Sequence, residues 1–258
     1  MSGAFQIAAV GLGAQQRALD TIANNISNVN TPAFKRSGVQ FSEVLASQPD
    51  PANLRADLGQ SLVTTAGVRA GTQFLVNEQG RLEQTGQAMD LAIEGQGFIE
   101  LMGPDGQALL WRGGALKVGE DGMLVAAGTG LALKAGLTVP QDATALQIGA
   151  DGIVRAVTGE GSEPVEIGQI HLVKIDSPEG LERLDGGLYR VADSSRLSEA
   201  QPGEDGVGRL VQGAVERSTV ELTSEMVQLM LVQRAYAANA QVVQAADQLM
   251  GLANGLRR

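Results

Sequence analysis

Apolar residues recur at alternating steps of three and four at both ends of the chain. At the N-terminal end the row is Phe5, Ala8, Leu12, Gln15, Leu19, Ile22, Ile26 and Val29, with Gln15 its one polar member. At the C-terminal end it is Leu222, Met226, Leu229, Gln233, Tyr236, Ala240, Val243, Asp247 and Met250. This heptad spacing holds one helix face against a partner helix. Val227, Met230, Leu231 and Val232 broaden the second stripe, so that helix is expected to meet more than one neighbour. Ser218 or Thr219, ahead of Glu221 and Glu225, offers an N-cap and acidic first turns. Two amphipathic helices on a globular core would also produce such stripes. Their terminal position and their length favour a helical bundle shared between chains.

Between the stripes the pattern shortens to apolar or alternating runs: Leu91-Ala92-Ile93, Gly97-Phe98-Ile99-Glu100-Leu101, Met123-Leu124-Val125, Ile153-Val154-Arg155 and Ile170 to Ile175. Asp-Gly pairs at 105–106, 121–122, 151–152, 185–186 and 205–206 punctuate them. Such pairs make tight hairpin turns because both residues tolerate positive φ. None has the Asp-x-Asp-x-Asp-Gly spacing of a calcium loop. The expected fold class is therefore α+β: terminal helices forming a coiled-coil-like core domain, and a central all-β body of sandwich or barrel-like form. The expected divisions are an N-terminal core helix (1–34), a connector arm with an inner β region (35–88), a β-rich outer body (89–214) and a C-terminal core helix (215–258). Thr31-Pro32 ends the first helix, since the residue before proline resists helix. Residues 41–63 form a polar, proline-interrupted arm.

Charge sharpens this division. The chain of 258 residues has a formal net charge of −10. Residues 1–30 carry only Arg17 and Asp20, and residues 215–258 carry four arginines against four acids, so the whole excess lies in between. The acidic balance argues against a nucleic-acid partner. With no Cys and one His, disulfides, thiolate zinc sites and multi-histidine metal sites are excluded, and no cofactor is expected. No apolar run is long enough for a direct membrane span, and Met1 to Phe5 lack the basic start and apolar run of a secretory signal.

Three motifs then coincide. The segment Ala18 to Arg36, with Asn24, Asn25, Asn28, Thr31, Phe34 and Lys35, resembles the N-terminal signature of bacterial flagellar rod and hook proteins. Met89-Asp90-Leu91-Ala92-Ile93-Glu94-Gly95-Gln96-Gly97-Phe98 resembles the second hallmark of that family. Gln233-Arg234-Ala235-Tyr236-Ala237-Ala238-Asn239, with Asp247 to Met250 after it, resembles the third. The final helix and the arm are more similar to the family's distal-rod members than to those at the proximal junction, which stay as the alternative. A hook subunit or a non-flagellar adhesin-like module fits less well. Ala33 stands where the family often has Gly, restricting the bend after the helix. Gly113 stands where Asp commonly follows Arg112, which weakens the hairpin expected around Trp111.

The resemblance implies a structural subunit that polymerises helically with itself into a hollow, torque-transmitting tube in the periplasm. The terminal helices would line its core and the β body its outer layer. Partners implied are other rod proteins, the hook protein, surrounding ring proteins and the flagellar type III export apparatus, which would replace a cleaved signal. The residues expected in the core are Phe5, Leu12, Leu19, Ile22, Ile26 and Val29, with Leu222, Met226, Leu229, Arg234, Tyr236, Asn239, Val243 and Met250. Phe41 and Leu45 resemble the short Phe-x-x-x-apolar element that docks such substrates at the export gate. On spacing alone they also fit a single helical turn packing locally. An enzyme would have to use His171, Asp90, Glu94 or Gly95-x-Gly97. His171 sits in a strand pattern, the carboxylates form no pair, and the glycines lack the third glycine and the helix of a nucleotide fingerprint.

Overall fold

The computed structural model describes residues 2–44, 67–74, 78–159, 163–175, 181–191 and 197–255. They form two units, one of Met1–Ser27, Ser37–Gln73 and Glu221–Arg258, the other of Asn28–Arg36 and Phe74–Val220. The class is α+β.

The first unit pairs helix α1 (Ser2–Ser27) with helix α2 (Leu222–Gly255). Neither contains proline. Two strands, β1 (Ser37–Val44) and β2 (Gly67–Phe74), pair beside them. Phe41 therefore lies in a strand rather than a helical turn, and the extended arm starts as β structure. Leu45 and most of the 41–63 segment lie outside the described residues.

The helix seam differs from the heptad row. In α1 the buried line is Ala14, Ala18, Ile22 and Asn25, while Leu12, Leu19 and Ile26 are only half-buried. Small side chains let helices approach closely, and the larger residues move to the margins of the contact. In α2 Glu225 is buried and Gln228, Leu229, Val232, Asn239, Val243 and Ala246 are half-buried. Leu222 and Met226 of the expected row are exposed, as are Val227, Met230 and Leu231 beside it. The expected cap also differs. Ser218 Oγ accepts from the Val220 N–H and Thr219 Oγ1 from the Arg36 N–H, so both hydroxyls stabilise the approach to α2 rather than its first turn.

The second unit is entirely β-rich. Its first strands are β3 (Leu82–Gln84), β4 (Asp90–Glu94), β5 (Phe98–Met102), β6 (Ala108–Trp111), β7 (Gly113–Val118) and β8 (Leu124–Ala126). Then come β9 (Ala143–Ile148), β10 (Ile153–Thr158), β11 (Val165–Gln169), β12 (Leu172–Ile175), β13 (Leu181–Arg183) and β14 (Leu188–Val191). The last are β15 (Leu197–Ala200), β16 (Arg209–Gln212) and β17 (Ala214–Glu216). A six-stranded sheet has the order β13-β14-β6-β5-β12-β15, and a four-stranded one β16-β4-β7-β8. A three-stranded sheet, β11-β10-β9, and the pair β17-β3 complete the unit. Ile99, Leu101, Leu109 and Trp111 share one buried cluster with Leu91, Ile93, Leu116, Ile148 and Leu210, and Phe98, Leu110 and Tyr189 belong to a second. Alternate residues of β5 and β6 thus fill different cores, which is why these strands are continuously apolar.

Four of the Asp-Gly pairs close hairpins: β5–β6, β7–β8, β9–β10 and β13–β14. The fifth, Asp205-Gly206, instead connects β15 of the six-stranded sheet to β16 of the four-stranded one. The chain crosses between the same two sheets after β4, through Gly95-Gln96-Gly97, and after β6, through Arg112. The segment after Trp111 is thus a sheet crossing, not a hairpin. Gly113 has φ +103°, and a Cβ there would lie 2.5 Å from the Leu91 carbonyl oxygen. Gly95 has φ +114°, and its Cβ would meet the Gly208 Cα at 2.7 Å. Gly95→Ala is therefore expected to cost about 2–4 kcal/mol from combined backbone strain and overpacking. Urea unfolding of the full chain checks this; a loss under about 0.5 kcal/mol would contradict the close approach.

Candidate functional site

The N-terminal motif supplies two buried polar junctions, one in each unit. In the helical unit, Asn25 is buried on α1. Its amide oxygen accepts from the Ser37 N–H at 3.0 Å and its Nδ2 donates to the Ser37 carbonyl at 2.9 Å. The side chain thereby copies a strand's backbone pairing and pins the start of β1. Nδ2 also donates to Glu225 Oε2 at 3.2 Å, which ties α1 to the first turn of α2. Glu225 has no measurable exposure. An acid expected at the helix dipole is instead a buried acceptor.

The helix itself stops at Ser27, where Asn28 takes over. Thr31 donates its N–H to the Asn28 carbonyl and its hydroxyl to the Asn28 side chain. Val29 consequently lies in this turn and not on α1. Ala33 then adopts φ +56° and is buried, its N–H donating to the Glu216 carbonyl at 2.7 Å. A left-handed alanine costs about 1 kcal/mol. The structure thus gives a physical sense to the glycine expected there: the bend is kept and the strain accepted.

In the β unit the next two residues are inserted into the core. Phe34 is buried, with the Arg183 guanidinium 3.6 Å above its ring, and Arg183 Nη1 donates to the Lys35 carbonyl at 3.2 Å. Lys35 is 1% exposed. Its ammonium donates to Glu216 Oε1 and to the Glu78 carbonyl. The other Glu216 oxygen accepts from Arg112 Nε at 3.2 Å and Nη2 at 3.1 Å, while the Gly80 N–H reaches Oε1 at 2.7 Å. The remaining donors of Arg112 reach the carbonyls of Gly97 at 2.6 Å and Gly95 at 3.0 Å. Two cations and one anion are thus buried together, the surplus charge being spread over three backbone carbonyls. Both carboxylate oxygens are occupied, so the cluster is a closed clamp, with no open position for a substrate or metal.

Burial pushes the Lys35 pKa down, the Arg112 charge adds to this, and Glu216 opposes both. A lysine with a folded pKa below its unfolded one binds fewer protons when folded, so its contribution makes stability rise with pH up to the ordinary value of about 10.4.

Of the other family-motif residues, Asn24 is exposed on α1 and Asn28 half-buried. Among the expected core residues Ile22 is buried, Leu229, Asn239 and Val243 half-buried, and Arg234 and Tyr236 exposed. Phe5 and Met250 belong to α1 and α2. The residues considered for catalysis stand apart. Asp90 accepts from the Thr85 hydroxyl, Glu94 pairs with Arg209 at 2.7 Å, and His171, just ahead of β12, lies 3.6 Å from Glu199. No cluster of three or more His, Cys, Asp or Glu fit for a metal occurs among the described residues, and no helix there is long and apolar enough to cross a membrane.

Sequence reasoning missed Glu216, Arg112 and Glu225. Each is a lone charge with no periodic signature of burial. The clamp makes a specific expectation. Glu216→Gln leaves two buried cations without their anion and should cost about 3–5 kcal/mol. Lys35→Met leaves the neutral Arg112–Glu216 pair and should cost clearly less, while removing the alkaline rise in stability. Urea unfolding from neutral to alkaline pH measures both; equal losses would refute the Glu216-centred balance.

Comparison with known proteins places these junctions in a family. Residues 5–35 match the model for flagella basal body rod proteins, and residues 92–156 that for the D1 domain of flagellar hook protein FlgE/F/G. Residues 211–256 match the C-terminal model of flagellar basal body rod FlgEFG proteins. The chain is 34% identical to the flagellar basal-body rod protein FlgG of Borreliella burgdorferi, over 100% of both chains. It is 34% identical to that of Caulobacter vibrioides over 98% of this chain and 99% of the relative. For the Bacillus subtilis FlgG the values are 33% and 94% of each chain. With a helix-ending asparagine turn, a buried Phe34-Lys35 anchor and FlgG relatives at 33–34% identity over nearly the full length, the chain belongs to the flagellar basal-body rod protein family as a structural subunit, not an enzyme.

Proposed function

We propose that the chain builds the distal segment of the rod, polymerising helically with copies of itself into a hollow shaft that carries motor torque to the hook and conducts exported subunits. The observation that carries this reading is the exposed face of α2. Leu222, Met226 and Met230 on that face are 40%, 50% and 52% exposed, on a helix with Arg234 as its one charge between Glu225 and Asp247. Apolar surface of this extent on a lone chain marks a contact with a partner. The terminal helices would supply a coiled-coil-like core. Like copies can pack there without repulsion because both ends are neutral, while the acidic middle of the chain keeps the assembly soluble. The final helix, from Gln233 to Asn239 and on to Asp247, supports the distal rather than the junction segment, as do relatives named FlgG.

On this reading the rod stands in the periplasm. Its neighbours are other rod proteins, the hook protein and the surrounding rings, and the chain reaches it through the flagellar type III apparatus without a cleaved signal. Cryo-electron microscopy of basal bodies purified from the source bacterium should show this chain as a continuous helical layer below the hook. Its absence from that layer would end the proposal. Export has its own expectation. Phe41→Ala with Leu45→Ala should lower the secreted fraction several-fold at unchanged synthesis, read by immunoblotting of secreted and cellular fractions. Equal secretion would remove the docking role of this pair.

A further inference from the structure

In the helical unit, α1 and α2 leave an apolar groove of about 490 Å³ between them, lined by Gly11, Ala14, Gln15, Leu231, Val232 and Ala235, with Asn239 at its end. No lining residue is charged. The Gln15 Oε1 atom is buried and has no hydrogen-bond donor among the described residues. A buried, unsatisfied amide oxygen in apolar surroundings is costly unless a donor arrives from elsewhere.

Helix α2 carries the matching surface on its other side. Leu222, Met226, Met230, Gln233 and Ala237 fall within about 40° of one line along a helix turning ~100° per residue. All five are exposed. Leu231 and Ala235, which line the groove, lie on the opposite face, about 160° from Gln233 by the same geometry. Gln233 of the same chain therefore cannot serve Gln15. Neither surface carries a charge; the groove presents two side-chain amides, Gln15 and Asn239, and the stripe presents one, Gln233.

We propose that the groove receives the Leu222–Met226–Met230–Gln233 face of α2 from a second copy of the chain, and that the Gln233 side-chain amide donates to Gln15 Oε1. The inference rests on the rod reading and adds what sets the register of its core. Apolar residues can slide along one another by a turn; one amide pair inside an apolar seam satisfies its hydrogen bond at a single setting. Groove and stripe lie on opposite faces of one helix, so each copy offers one of each. Such a contact is heterologous, the kind from which an open helical assembly is built when its rotation does not close a ring.

The natural chain has no cysteine, which makes the pairing directly readable. Full-length Gln15→Cys and Gln233→Cys chains are mixed under assembling conditions and treated with a short bismaleimide. The expected result is a cross-linked dimer at several times the yield of a Gln15→Cys and Val165→Cys mixture, Val165 being exposed on β11. Assembly without that excess overturns the pairing but leaves the rod reading standing. Failure of the unsubstituted chain to assemble alone or onto purified rods overturns the rod reading, and this inference with it. Where a cysteine variant does not assemble, leucine variants decide. Gln15→Leu and Gln233→Leu should each raise the critical concentration about fivefold, and the double variant no further than either. Independent, multiplying effects overturn the proposal.

Discussion

One carboxylate holds together parts of the β unit that are far apart in sequence. Glu216, at the end of β17, pairs with both Lys35 from the N-terminal motif and Arg112 from the crossing between β6 and β7. Arg112 in turn grips the carbonyls of the crossing between β4 and β5. Two of the three passages of the chain between these sheets are thus fastened to one guanidinium. A buried charge cluster is a weak source of net stability but a strict one geometrically, because any misplacement leaves an ion uncompensated. The cluster therefore specifies one arrangement of the sheets, and the few aromatics reinforce it. Phe98 lies 5.7 Å beneath Arg112 and 5.6 Å from Tyr189 in an edge-on contact.

The helical unit relies on a different economy. Its buried line is alanine, isoleucine and asparagine rather than leucine, and much of α2 remains uncovered. Asn25 substitutes for a strand partner and for a helix tie at once. A few polar contacts of high precision fix the pairing, and large apolar surface is left over for other molecules.

This contrast explains what was legible in the amino-acid order. Periodicity revealed both helices, and four of the five Asp-Gly pairs proved to be hairpins, because those signals are local. The seam was displaced because heptad counting weights apolarity, whereas close helix approach selects small side chains such as Ala14 and Ala18. Glu216, Arg112 and Glu225 were invisible because burial of a charge depends on partners brought from distant positions, which no window contains. Lys35 was the exception, visible through the motif that holds it. Ser218 and Thr219 had the right chemistry for a cap, but one serves the preceding turn and the other accepts from the distant Arg36 N–H.

The uncharged face of α2 has a thermal consequence. Charged seams respond to ionic strength, since screening length falls from about 10 Å at 0.1 M salt to about 3 Å at 1 M. A face of leucine, methionine and one amide offers salt little to screen. Its cohesion follows temperature instead, because hydrophobic attraction weakens on cooling. A shaft joined along such faces would keep its grip from dilute to briny surroundings and be loosened by cold.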